Sequence, residues 1–155
     1  MSTDTIWRTV SSSSEQTEQL GEKLGAKLRG GEIIELISDV GGGKTTLTRG
    51  LVRGAGSMDK VASPTFTISK EYRTPKFTIA HFDFYRLQEA GIVADELAEI
   101  VEDPAYVAVI EWGEIVHDVL AGGHVRITLA QTPIGDRTIT CQYPESLNYM
   151  FEGLA

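Results

Sequence analysis

"ELISDVGGGKTTLTRGLV", residues 35–52, changes character twice within a short span. A short apolar strand, Ile33-Ile34-Glu35-Leu36-Ile37, runs into a glycine-rich turn, and Gly43-Lys44-Thr45 then opens a helix. This nearly reproduces the phosphate-gripping pattern G-x-x-x-x-G-K-[ST], with Ser38 where the first glycine would stand. Gly-Lys-[Ser/Thr] alone arises by chance in roughly one chain of this length in fifteen, so the context carries the reading. Backbone N–H groups at Gly41, Gly42 and Gly43, unencumbered by side chains, can curl around a phosphate. The helix beginning near Lys44 aims its positive end at the same place. Lys44 can reach terminal phosphates, and the Thr45 hydroxyl can ligate Mg²⁺. Serine at position 38 is small enough for the strand exit provided φ stays negative there.

The chain has 155 residues, the size of one domain, and residues 1–155 are read as a single unit. Such a length buries roughly 70% of the unfolded surface. The apolar share of 41% and charged share of 23% are those of a globular protein. No apolar run approaches the roughly 20 residues needed to cross a bilayer, and Met-Ser-Thr-Asp-Thr-Ile-Trp at the start has no signal-peptide character. The single cysteine, Cys141, fits a reducing cytosol, so a cytoplasmic protein is expected. It lies in an alternating stretch that suggests a strand residue rather than a catalyst. The net charge of −8 and the absence of a Lys/Arg run argue against a direct grip on nucleic acid, which leaves a basic footprint.

Ser12 with Glu15 and Ser13 with Gln16 fit the capping-box spacing, and Leu20, Leu24 and Leu28 draw one apolar stripe before Gly30-Gly31. The pattern predicts a helix over residues 14–29. Leu47, Leu51, Val52 and Ala55 mark a second helix that ends within residues 54–56. Segments 65–72 and 77–83 read as an antiparallel hairpin turning through residues 73–76, and 94–102 as a short helix closed by Asp103-Pro104. Residues 106–110 form a nearly continuous apolar strand, as in a sheet covered on both faces. Ile115, Val116, Val119 and Leu120 give another helical stripe, and 125–130 and 137–143 alternate as two late strands. The whole is an α/β chain, a three-layer P-loop NTPase-like fold with a mixed, largely parallel central sheet.

A strand-end acid must complete the shell of a magnesium ion held by Thr45. Asp83 and Glu111 both follow apolar strands, and either can face the phosphates. His81 and Tyr85 are read as packing or hydrogen-bonding residues. His117 and His124 are read as surface residues, since no cluster with metal-ligand spacing surrounds them.

Four stretches taken in order resemble a known family. They are Ser38-Asp39-Val40-Gly41-Gly42-Gly43-Lys44-Thr45-Thr46, Ser63-Pro64-Thr65-Phe66, His81-Phe82-Asp83-Phe84-Tyr85-Arg86 and Glu111-Trp112. Together they are similar to the motifs of bacterial TsaE (YjeE), the small P-loop ATPase of tRNA threonylcarbamoyladenosine synthesis, over about residues 14–137. Ser38 departs from the family's glycine. The resemblance implies that Val40, Gly41, Gly42, Gly43, Lys44, Thr45 and Thr46 grip ATP, and that Thr45 and Glu111 hold Mg²⁺. It places Asp83 with Lys44 at the γ-phosphate, helping hydrolysis, and brings Thr17 and Arg137 toward the nucleotide. It further implies partners, TsaD and TsaB, through which tRNA is reached indirectly, and an ATPase that is weak alone.

Other functions use the same loop. A small-molecule or nucleoside kinase needs an acceptor pocket and usually an Arg-bearing lid, and no inserted lid segment is evident. A GTPase needs Asn-Lys-x-Asp, which the chain lacks. A non-catalytic nucleotide-binding scaffold remains compatible with the sequence.

Overall fold

The computed structural model describes residues 4–38, 43–59, 69–84, 91–111 and 123–154. The expected strand over 65–68, the helix over 115–120, and the side chains of Val40, Gly41, Gly42, Ser63, Pro64, Thr65, Tyr85, Trp112 and His117 lie outside them.

In chain order the elements are β1 (Thr5–Ser11), α1 (Ser14–Gly25), β2 (Ile33–Ser38), α2 (Lys44–Gly54), β3 (Ser69–Arg73), β4 (Thr78–Asp83), α3 (Gly91–Glu102), β5 (Tyr106–Glu111), β6 (Val125–Gln131), β7 (Arg137–Tyr143) and a closing 3₁₀ helix, Glu145–Met150. The described strands form one seven-stranded sheet in the order β1-β7-β6-β2-β5-β4-β3. Its middle, β6-β2-β5-β4, is parallel, while β3 and the β7-β1 pair add antiparallel edges. This is the mixed sheet that the alternation predicts.

Strand alternation sorts side chains onto two faces. Ile34 and Leu36 of β2, Ile79 of β4, and Val107 and Val109 of β5 pack with Leu20, Leu24, Leu47 and Leu51 of α1 and α2. Ala80 and Phe82 of β4, and Ala108 and Ile110 of β5, pack with Leu97 of α3 on the opposite face. Helices on both sides of the sheet make the three layers.

Helix α1 starts with a variant of the capping box. Ser13 Oγ, at the N-cap, accepts the Gln16 N–H at 3.1 Å, and Gln16 Oε1 accepts the Ser12 N–H, one residue before the cap, at 2.8 Å. The helix ends at Gly25, short of residue 29. Lys27 and Leu28 then close 3₁₀-type bonds to the Leu24 and Gly25 carbonyls. The glycines that favour this early end serve packing. A Cβ added at Gly25 would fall 2.1 Å from the Leu51 carbonyl oxygen of α2. Leu28 stays buried through the tightened turn, so the stripe holds although the helix does not. Helix α3 begins at Gly91, earlier than residue 94.

Two elements were not anticipated. Strand β1 pairs along its whole length with β7. The C-terminal 3₁₀ segment delivers Met150, Phe151 and Leu154 into the larger core, where Phe151 stacks on Tyr143 with ring centroids 3.9 Å apart. The two late strands, β6 and β7, and the β3–β4 hairpin agree with expectation: Thr74 caps the β3–β4 turn, its Oγ1 accepting the Phe77 N–H at 3.1 Å. Cys141 is a buried β7 residue, and burial pushes its thiol up to about 12, which leaves it inert at neutral pH. Among the described residues no helix is long and apolar enough to cross a membrane.

Candidate functional site

The carboxyl ends of β2, β4 and β5 converge where α2 begins. Strand β2 runs through Ser38, which pairs with Leu129 of β6, so the serine sits in extended backbone and needs no glycine. Gly43 precedes the helix with φ 99°, a left-handed conformation in which a side chain is strained. A Cβ there would also meet Arg137 Nε at 3.1 Å. Glycine at 43 is thus required twice, and Arg137 of β7 lies against the residue that opens α2.

Lys44 and Thr45 open α2, with Thr45 and Thr46 half-buried in its first turn. Alternation puts Ile79, His81 and Asp83 on one face of β4, and Val107, Val109 and Glu111 on the matching face of β5. Parallel pairing sets Asp83 opposite Glu111. The Glu111 carboxylate is buried, and its Oε1 lies 3.6 Å from Lys44 Nζ. Its other oxygen, Oε2, lies 2.5 Å from His81 Nε2. Three charged or polar groups from three elements therefore meet at the head of α2.

Thr17 is linked to this place indirectly. Its hydroxyl is 2.7 Å from Ser11 Oγ and 3.3 Å from the Ser13 carbonyl oxygen, and Ser11 pairs with Arg137 across β1 and β7. At 1% exposure Thr17 braces the strand that faces Arg137.

The donors suit magnesium. It takes oxygen ligands and is commonly held by one or two carboxylates together with substrate phosphates. Glu111 and the Thr45 hydroxyl are donors of that kind and can form part of such a set. Among the described residues no group of three or more His, Cys, Asp or Glu comes together as a metal cage.

His124 differs from its reading as a surface residue. Its side chain is 13% exposed, and Nε2 donates to Glu35 Oε1 at 3.0 Å, beside Arg126 Nε at 3.3 Å. The cause is Glu35 on the α3-facing side of β2, a buried carboxylate that needs partners. The His81–Glu111 contact was also missed. The shared alternation of 79/81/83 with 107/109/111 is the signal that could have found it.

A glycine loop between a central parallel strand and a helix, with a lysine at the helix head and an acid on the neighbouring strand, defines a nucleotide-binding P-loop protein. Residues 11–139 match the family described as "Threonylcarbamoyl adenosine biosynthesis protein TsaE", and the chain belongs to it. It is 32% identical to a "tRNA threonylcarbamoyladenosine biosynthesis protein TsaE" of Bacillus subtilis over 86% of this chain and 82% of that one. The protein of the same name from Treponema pallidum is 35% identical over 86% and 98% of the two chains. The one from Synechocystis is 43% identical over 63% and 64%. The crystal structure of YdiB from Bacillus superposes with a TM-score of 0.77 at 27% identity, covering 99% of this chain and 95% of that one.

Proposed function

We propose that this chain is a magnesium-dependent ATPase that serves as an accessory protein in forming N6-threonylcarbamoyladenosine on tRNA, acting with TsaD and TsaB. The observation that carries the reading is the meeting of Lys44, Glu111 and His81 at the head of α2, at the carboxyl ends of parallel strands where such sheets take their ligands. The names carried by the relatives support the tRNA modification as the process served.

In this reading the loop through Gly43 receives the phosphates on its backbone N–H groups, and Lys44 turns its ammonium to the terminal ones. Thr45 and Glu111 hold the cation, which when bound neutralises phosphate charge. Asp83, opposite Glu111 in register, orients the attacking water. Arg137, packed on Gly43, fixes the end of the loop and offers a positive charge to the nucleotide.

Thermal unfolding tests the binding claim. At an ATP–Mg²⁺ concentration 100 times the dissociation constant, stability rises by about 2.7 kcal/mol, read as a higher Tm. Lys44→Ala should lose most of that shift. A Lys44→Ala chain that keeps the full shift contradicts the site.

A further inference from the structure

His81 lies wholly buried in β4, on the face where Ile79 joins the larger core, at a position that alternation would give to another aliphatic side chain. Its Nε2 contacts Glu111 Oε2 at 2.5 Å, while Nδ1 has no hydrogen-bond partner among the described residues. Tyr72 on β3 lies beside the ring, centroids 6.3 Å apart. A core position that accepts an imidazole with one unsatisfied nitrogen calls for an explanation that packing does not supply.

We propose that His81 is the positioning residue of the cation site, holding one oxygen of Glu111 so that the other is aimed at the head of α2. The inference rests on the reading of Glu111 as a residue that holds the divalent cation of a nucleoside triphosphate. Glutamate has three side-chain torsions, and an ammonium close by draws both carboxylate oxygens toward itself. If that happened here, Lys44 and Glu111 would close on each other and withdraw from phosphate and cation together. With Oε2 taken by His81, Oε1 stands 3.6 Å from Lys44 Nζ, an ion pair longer than a hydrogen bond. The ring suits the task in its Nε2–H tautomer, which donates to the carboxylate and leaves Nδ1 as a bare acceptor rather than a buried N–H without an acceptor. Partners of this kind, one step behind the ligating atom, set the orientation of metal-binding carboxylates.

The experiment titrates the full chain calorimetrically with a non-hydrolysable ATP analogue, at a series of Mg²⁺ concentrations and in EDTA. His81→Leu should raise the Mg²⁺ concentration for half-maximal binding by about 10- to 100-fold and leave the affinity in EDTA unchanged. His81→Gln, whose amide nitrogen reaches the place of Nε2, should stay near wild type. His81→Asn, whose amide ends near Nδ1, should resemble His81→Leu. Should His81→Leu not fold, the Gln and Asn variants decide, and equal Mg²⁺ requirements in those two overturn the inference. An unchanged requirement in a folded His81→Leu overturns it as well, and if Glu111→Ala does shift the requirement, only the role of His81 is lost. A wild-type chain that binds no nucleotide, or a Glu111→Ala chain with an unaltered Mg²⁺ requirement, overturns the proposed function and this inference together.

Discussion

Glu111 and Asp83 stand side by side in register on β5 and β4, yet their surroundings differ. Glu111 is 2% exposed and held from two sides, by Lys44 and His81, and in the proposed function it is the cation ligand. Asp83 is the more accessible of the two, at the strand end where a water can be approached. Glu111→Ala should therefore weaken the Mg²⁺ dependence of nucleotide binding. Asp83→Asn should bind ATP nearly normally while hydrolysis falls by roughly 10²-fold or more. Equal loss of binding in both variants, measured by calorimetry, means that this division of roles is wrong. Glu35, on the other side of the sheet, carries a pH prediction. The hydrogen bond from His124 holds its carboxyl below the ordinary value of 4.5; burial opposes that shift and the Arg126 charge assists it. A carboxyl depressed in the folded state adds stability above its unfolded value, and loses it as pH falls through the folded one. The urea midpoint should thus drop as pH is lowered below about 4.5, and Glu35→Gln should flatten that drop; identical profiles rule the contribution out. At this scale the places of Lys44 and Thr45 at a helix head, and of Asp83 and Glu111 at strand ends, were legible because loop spacing and strand ends are local patterns. The partners of His81, Glu35 and Arg137 were not, because each depends on which strands become neighbours in the sheet.

Helices α1 and α2 cross through glycine. A methyl group added at Gly50 would sit 2.1 Å from the Glu18 carbonyl oxygen, at Gly54 2.1 Å from that of Glu22, and at Gly21 2.5 Å from that of Leu47. Backbone lies directly on backbone, so the neighbours cannot yield as a flexible side chain would. In an isolated helix, glycine to alanine stabilises by about 1 kcal/mol. Here the sign should reverse. Gly50→Ala is expected to destabilise by about 1–3 kcal/mol through overpacking, measured by urea unfolding; a neutral or stabilising result contradicts the close crossing. The consequence reaches the site, because α2 begins with Lys44 and α1 begins beside Ser11, which pairs with Arg137. The two helix faces were readable from Leu20, Leu24, Leu47 and Leu51, since apolar spacing reports burial. Of the glycines at this crossing the sequence marks only Gly54, as part of a helix stop, since spacing alone does not say whether a glycine ends a helix or lets another helix approach. Strand β1 was missed although Thr5-Ile6-Trp7-Arg8-Thr9-Val10 is rich in β-branched and aromatic residues. Ile6 and Val10 lie on its exposed face, at 59% and 57%, while Thr9 and Ser11 face inward, so the hydropathy of the stretch does not follow its alternating burial.

Across the whole molecule, charge argues about partners. The chain carries 22 acidic and 14 basic residues, and among the described residues Lys44, Arg53 and Arg126 pair with carboxylates of the fold. A protein that grips tRNA by itself releases counterions from several phosphates, and it needs an exposed basic stripe to do so. A net charge of −8 opposes such an encounter at long range. The tRNA contact in the proposed function therefore falls to the partner subunits, while this chain contributes a nucleotide-dependent event. A terminal phosphate present before hydrolysis and absent after it can act as a switch, and by sequence alone the stretch Ser63-Pro64-Thr65, which follows the loop helix, is the one proposed to sense it. Sedimentation of the purified chain decides between the two arrangements. With TsaD and TsaB it should co-sediment in one nucleotide state more strongly than in the other. With tRNA alone, at physiological salt, it should sediment as the free chain at about micromolar concentration, since binding without a basic footprint is weak. Tight tRNA binding by the isolated chain, together with no association with the partner proteins in any nucleotide state, would defeat the accessory role and move the nucleic-acid contact onto this subunit.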